Sequence, residues 1–464
     1  MKILQVIHNF PPHSLGGSEI YTYNLSRELA KSHEVVVFHA INDPDAEEYD
    51  IQVDSYHGFK VSTINNTFKH CTSFETHYRN EMIAKKFGEL LDEVTPDIVH
   101  IGHLIDLSVT LVDEAKKRNI PVVLTLHDFW LFCPLGRLLK ADLTLCQGPQ
   151  MSECAKCLAP QLSTTKGLRR LYQAIQKVIP NFDERIGIRK ILSVLYRQYA
   201  KVKAAHNDKN SAHIENRALE IKRICSLVDV FIAPSRFLLE KFVEFGIPKQ
   251  KLIYCDPGFD TLPFNGVPKK YSRKIRFGYI GTLIPSKGLH VLMEAFNAIH
   301  DEDVELRIHG YYSSFHLGFE DYPNSLRAMS SKQNVYWGGK YDNTDVATIL
   351  SEVDVLVVPS IWYENSPLTI HEAFLAGVPV ITSNIGGMAE LVEDGVNGLH
   401  FQMGNAADLA RQLQRVIDDP PLIAQLKNNI PPVTPIESHA LKIETIYRGL
   451  LPQAPLPRAM VSQE

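Results

Sequence analysis

The segment from Asp354 to Ile381, DVLVVPSIWYENSPLTIHEAFLAGVPVI, constrains the fold more than any other part of the chain. Asp354 to Val358 is a short apolar, β-branched run of the kind used by a strand buried on both faces. Pro359 and Ser360 end it, and a polar loop, Trp362 to Ser366, leads to Pro367, whose missing N–H costs nothing in a first helical turn. The helix runs to Ala376, Gly377 stops it, and Val378 to Ile381 forms the next strand. The loop therefore lies at the carboxyl end of a parallel strand, where open α/β sheets bind ligands.

Glu364 in this loop and Glu372 in the helix have seven residues between them. Unpaired N–H groups of the first turn, around Ser366 to Thr369, make an anion site through their free donors and the helix dipole. Carboxylates repel phosphate but accept hydrogen bonds from sugar and ribose hydroxyls, so the arrangement suits a nucleotide-sugar. The plainer reading is a helix start whose two acidic residues only complement its dipole.

These residues, the following GVPVI and the run GGMAELVEDGVNG from Gly386 to Gly398 resemble the retaining glycosyltransferases of family 4 (glycosyltransferase group 1). The resemblance covers nearly the whole chain and is weakest over about 159–222. It implies an α/β chain of GT-B fold, with two Rossmann-like, doubly wound parallel-sheet domains facing an interdomain crevice.

At 464 residues the chain accommodates two such domains, and 45% hydrophobic with 22% charged residues is the composition of a soluble globular protein. A net charge of −5 gives no electrostatic case for nucleic acid as partner. No apolar run approaches the roughly 20 residues of a membrane span, and MKILQVIHNF enters a strand directly, so the expected location is cytoplasmic. Seven cysteines, an odd number, argue against a disulfide framework.

Strand and helix patterns alternate along the first half, the signature of a doubly wound sheet. Residues Ala46 to Phe74 are less regular, with Phe59 to Ile64 as one further strand. After the strand Lys2 to His8, a loop carries Gly16 and Gly17 before a helix; paired glycines serve either close ligand approach or chain reversal. His127 follows the strand Val122 to Leu126 and faces the crevice, as a structural hydrogen-bonder or a site residue; Asp128 beside it reads as a loop or cap residue. Cys133, Cys146, Cys154 and Cys157 cluster, the last two as a C-x2-C pair. A structural zinc site is one reading, and reduced unligated thiols or a redox or iron–sulfur role are the others. The helical pattern over about 159–222 is basic, from Lys166 to Lys203, and reads either as an insertion packed on its own domain or as a peripheral contact with anionic lipid or acceptor.

Asp256 to Arg273, rich in proline and glycine, reads as a linker. The expected domains are therefore residues 1–256, with the Cys-rich segment 133–157 and the helical insertion; 257–432; and 433–464, a helix returning to the first domain and a tail. Gly281 and Lys287 lie between a strand and a helix of the second domain, and a lysine there can neutralise a diphosphate. Two D-x-D triplets, Asp43 to Asp45 and Asp301 to Asp303, read as turns, and no catalytic metal is expected.

The resemblance implies that Glu372 holds the donor ribose and Glu364 the hydroxyls of the transferred sugar. It places amides of Asn365, Ser366, Pro367 and Leu368, with Lys287, at the diphosphate, although Thr282 stands where relatives have an arginine. His127 would approach the reacting carbon, Gly16 and Gly17 donor and acceptor, and Gly281, Gly386, Gly387 and Glu390 the donor. The implied activity moves a sugar from a nucleoside diphosphate to a hydroxyl of a glycan or lipid-linked glycan in surface polysaccharide biosynthesis. The alternatives are a non-catalytic scaffold and a sugar-nucleotide hydrolase or epimerase.

Overall fold

The computed structural model describes residues 1–140, 142–162, 209–312, 321–330 and 334–452. The first sheet contains β1 (Lys2–Val6), β2 (Glu34–Ile41), β3 (Ile51–Tyr56), β4 (Phe59–Asn65), β5 (Ile98–Ile101), β6 (Val122–Thr125), β7 (Val230–Ala233) and β8 (Leu252–Tyr254), in the order β3-β4-β2-β1-β5-β6-β7-β8. The second contains β9 (Ile275–Ile280), β10 (Val304–His309), β11 (Val335–Gly339), β12 (Val355–Val358), β13 (Val380–Ser383) and β14 (Gly398–Phe401), in the order β11-β10-β9-β12-β13-β14. Neighbouring strands are parallel except β3 and β4, which form a hairpin. Its turn residues His57 and Gly58 both have positive φ, the conformation a two-residue hairpin loop demands. The irregular reading of Ala46 to Phe74 missed β3 because this edge strand is polar and mostly exposed, without the alternation that marks a half-buried strand.

Helices α1 (Gly17–Leu29), α2 (Glu81–Val94), α3 (Leu111–Lys117), α4 (Met151–Leu162), α5 (Lys209–Leu227) and α6 (Arg236–Glu244) belong to the first domain. The second has α7 (Leu289–Asn297), α8 (Tyr322–Met329), α9 (Val346–Ser351), α10 (Leu368–Leu375), α11 (Gly386–Leu391), α12 (Ala406–Asp418) and α13 (Pro421–Asn428). Within the helical insertion read from sequence, residues 163–208 lie outside the described residues, as does the tail from 453 onward. Central strands such as β5 and β6 are buried throughout, which is why they read as unbroken apolar runs. Helix α2 shows the other pattern: Ile83, Phe87, Leu90, Leu91 and Val94 form its buried face, and the Asn80 side chain caps it by accepting from Met82 N and Ile83 N at 3.1 and 3.2 Å.

Helix α14 (Ile436–Leu450) returns to the first domain, where Ile443 and Tyr447 pack among Ile3, Leu25, Ile98 and Val123. Buried polar groups fix its position. His439 Nδ1 lies 2.9 Å from the Asp256 carbonyl and so donates, leaving Nε2 to accept from the Tyr21 hydroxyl at 2.8 Å. The outgoing and returning chains pair at the linker, with Phe259 N on Thr434 O (3.0 Å) and Ile436 N on Phe259 O (2.8 Å).

In the second sheet, Asp354 accepts from Arg276 Nε (2.9 Å), Nη2 (2.8 Å) and backbone N (2.9 Å), clamping the starts of β9 and β12. Arg276 is buried, so removing its partner strands a charge. Asp354→Ala is expected to lower stability by about 3 kcal/mol in urea unfolding; a loss below about 1 kcal/mol would mean that solvent replaces the carboxylate.

Candidate active site

The carboxyl ends of the two sheets face each other across a cleft of about 880 Å³. Gly16, Gly17 and His127 line it from the first domain, and Gly281, Lys287, Glu364 to Leu368 and Glu372 from the second. Gly386, Gly387, Glu390 and the four clustered cysteines do not.

Glu364 is buried in the loop after β12, and its Oε1 receives three donors: Lys287 Nζ at 2.7 Å, Ser360 Oγ at 2.7 Å and Trp362 Nε1 at 2.8 Å. Lys287 reaches it from a short 3₁₀ turn, Pro285–Lys287, after β9. Gly288 makes this approach feasible: its φ is +71°, and a Cβ there would lie 1.8 Å from the Pro359 carbonyl oxygen. The Lys287 ammonium also lies 5.5 Å from the centre of the Trp362 ring. Two residues given separate tasks from sequence are thus direct partners.

Glu372, in the second turn of α10, has no cation beside it, and burial pushes its carboxyl up to about 7. The first turn of α10 points its donors at the same region. Pro367 adds no N–H, so amides on either side of it must serve an anion.

His127 follows β6, and its carbonyl accepts from Asn365 Nδ2 of the other domain at 2.6 Å. Its Nε2 is buried without a partner, as are Asn365 Oδ1 and His8 Nδ1, and all three residues line the cleft. Such orphaned polar atoms mark positions for ligand hydrogen bonds. Burial pushes His127 down to about 3 and His8 down to about 4, so both are neutral imidazoles.

Asp128 forms the loop turn expected of it, accepting from Trp130 N at 2.7 Å, and also takes a bond from His103 Nε2 at 3.2 Å. His103 Nδ1 accepts from Ile105 N (3.0 Å), which fixes the tautomer. Glu19 accepts from the hydroxyls of Ser14 and Ser18, both at 2.7 Å, and lies 3.7 Å from His8. His8, Glu19 and His103 were not singled out in the sequence. The available signal was topological: His8 and His103 follow β1 and β5, which end at the same sheet edge as β6.

Gly386, Gly387 and Glu390, expected beside the donor, are not among the residues that line the cleft. Gly387 N donates to Glu364 O at 2.7 Å, and a Cβ on Gly387 would lie 1.6 Å from Asn365 O, so the pair supports the loop from behind. The Glu390 carboxylate accepts from Arg236 N and Phe237 N, each at 2.8 Å, in the first turn of α6. Cys133, Cys146 and Cys157 stand near Cys154. Among the described residues no three His, Cys, Asp or Glu side chains stand as metal ligands. Cys146 Sγ is engaged by the Gly148 carbonyl at 3.2 Å, and burial, with neighbouring thiols adding, pushes Cys154 up to about 11. Both D-x-D triplets are turns, closed by Asp45 N on Asp43 Oδ1 (2.9 Å) and Asp303 N on Asp301 Oδ1 (2.7 Å). Among the described residues no helix is long and apolar enough to cross a membrane.

Two parallel-sheet domains that face each other across this cleft have the GT-B fold. The family models agree: Glycosyl transferases group 1 matches residues 264–431 and Glycosyltransferase Family 4 matches residues 15–182. The chain belongs to the group 1 glycosyltransferases and is an enzyme of that class. An uncharacterized 42.6 kDa protein in the cps region of Klebsiella pneumoniae is 24% identical over 404 residues, 84% of this chain and 87% of that protein. The amylovoran biosynthesis glycosyltransferase AmsK of Erwinia amylovora is 24% identical over 213 residues, 44% of this chain and 51% of AmsK. Among solved structures, Anabaena Alr3699/HepE in complex with UDP and glucose superposes with a TM-score of 0.61 at 17% identity, covering 97% of this chain and 99% of that one.

A carboxyl raised from its ordinary 4.5 to about 7 ionises later in the folded than in the unfolded chain. Stability is therefore lost as pH rises from about 4.5 to 7. Glu372→Gln is expected to exceed wild type in urea unfolding by up to about 3 kcal/mol at pH 8 and by under about 1 kcal/mol at pH 5. A difference independent of pH would show that Glu372 is solvated.

Proposed function

We propose that the chain transfers a sugar from a nucleoside diphosphate donor to a hydroxyl of a glycan or lipid-linked glycan, with retention of anomeric configuration, in the making of a surface polysaccharide. The observation that carries this reading is the pair of cleft carboxylates, Glu364 and Glu372, on either side of the first turn of α10, with Lys287 bonded to Glu364. Glu372 accepts from the ribose hydroxyls and Glu364 from the hydroxyls of the transferred sugar. An ammonium has three donors, and the bond to Glu364 uses one; the other two remain for phosphate oxygens. Lys287 and the α10 amides then offset the negative charge that builds on the departing diphosphate.

His127 approaches the sugar from the other domain as a neutral hydrogen-bonding group. Retention follows from attack on the face the diphosphate leaves, with the leaving phosphate taking the acceptor's proton. No nucleophile at glycosidase spacing is then needed. The cps and amylovoran contexts of the relatives support a polysaccharide product, and the UDP complex of the structural neighbour supports a nucleoside diphosphate donor. The Asn365–His127 bond joins the two walls, consistent with closure that excludes water during transfer.

A panel of UDP-, GDP- and ADP-sugars, scored by thermal shift and then by donor turnover, tests this directly. One donor is expected to stabilise the wild type, while Glu364→Ala and Glu372→Ala stay folded and lose turnover by roughly 10²-fold. Failure of every donor to stabilise a folded sample would favour the non-catalytic scaffold.

A further inference from the structure

Glu390 lies outside the cleft, yet its contacts span the boundary between the domains. Helix α11, which carries it, is less than two turns long. At one end, Gly387 N–H holds the Glu364 carbonyl at 2.7 Å and Gly387 packs so tightly on Asn365 that no Cβ fits. The place of α11 therefore fixes the backbone of two cleft residues. At the other end, the two oxygens of Glu390 each take one N–H of the first turn of α6, Arg236 and Phe237, both at 2.8 Å.

The bonds to α6 are favoured three ways. The donors are backbone groups already fixed by the helix, the acceptor is charged, and the helix dipole favours an anion at this end. Ser235 caps the same helix locally, accepting from Leu238 N at 3.2 Å, so Glu390 takes two donors that the local cap leaves over. Two further contacts cross the boundary nearby: the Tyr363 ring lies 5.2 Å from that of Phe237, and Asn365 Nδ2 holds the His127 carbonyl.

We infer that Glu390 is a positioning residue for sugar transfer: by docking α11 onto the start of α6 it holds the domains in the closed relation, and through Gly387 it sets Glu364 and Asn365 against His127. The inference rests on the proposed function for its link to turnover, but its structural half stands without substrate. It also differs from the sequence expectation, under which Glu390 would touch the donor.

Small-angle X-ray scattering on the ligand-free full chain separates these cases, comparing wild type with Glu390→Ala, the isosteric Glu390→Gln and Ser235→Ala as a control confined to one domain. Both Glu390 variants are expected to keep wild-type helical content and show a larger radius of gyration, while Ser235→Ala scatters as wild type. With a UDP-sugar that the wild type turns over, kcat of both Glu390 variants is expected to fall on the order of tenfold. Glu390→Asp is expected to restore part of it. A wild-type radius of gyration in both variants overturns the inference, whether activity is kept, so that the contact is idle, or lost, so that Glu390 acts on the donor. Should the wild type turn over no donor, the proposed function fails and the scattering result alone decides the role of Glu390.

Discussion

A carboxylate removed from water must be met by donors, and the second domain is arranged around meeting that demand at Glu364. Three donors converge on one oxygen, drawn from the end of β12, the following loop and the turn after β9. Lys287 and Glu364 are 77 residues apart in sequence, and they meet because β9 and β12 are neighbours in the sheet. Gly288 lets the β9 turn press against Pro359, and Gly387 supports the loop from behind. This wall is therefore braced before any ligand arrives, so that little ordering would remain to be done on binding.

The two walls differ in electrical character. The second-domain wall carries an ammonium, two carboxylates and the start of α10, which suits a charged diphosphate flanked by hydroxyls. On the first-domain wall, burial keeps His8 and His127 neutral, while Glu19 and Asp128 are held ionised by hydroxyl, amide and imidazole donors. A surface of fixed, directional hydrogen-bonding groups, its carboxylates already engaged, suits a polyhydroxyl ligand. Helix α14, locked into the first domain through His439 and Tyr447, ties the outgoing and returning chains together beside the cleft.

Much of this was legible in the sequence where the signal was local. The unit β12-loop-α10-β13 could be read from a β-branched run, a proline at the helix start and a glycine at its end. That placed Glu364, Glu372 and the loop between them on the cleft, and the same reasoning placed Lys287 and His127, while the Gly16–Gly17 loop was placed there by the family resemblance. Contacts that depend on which elements become neighbours were not legible. Glu390 sits in the same glycine-rich run as Gly386 and Gly387 but turns to a helix 154 residues earlier in the chain. The Lys287–Glu364 pair needs the strand order of the second sheet, and His103–Asp128 needs that of the first. The cysteines cluster in sequence, but that the Cys146 thiol donates to the Gly148 carbonyl is not something spacing alone reveals.

The most direct measurement of the central claim is a crystal structure of the full chain with a nucleoside diphosphate-sugar in the cleft. The ribose hydroxyls are expected at hydrogen-bond distance, about 3 Å, from Glu372, with phosphate oxygens against the first-turn amides of α10 and the ammonium of Lys287. A nucleotide bound elsewhere, or bound in the cleft with its ribose turned away from Glu372, would contradict the assignment of the second-domain wall to the donor.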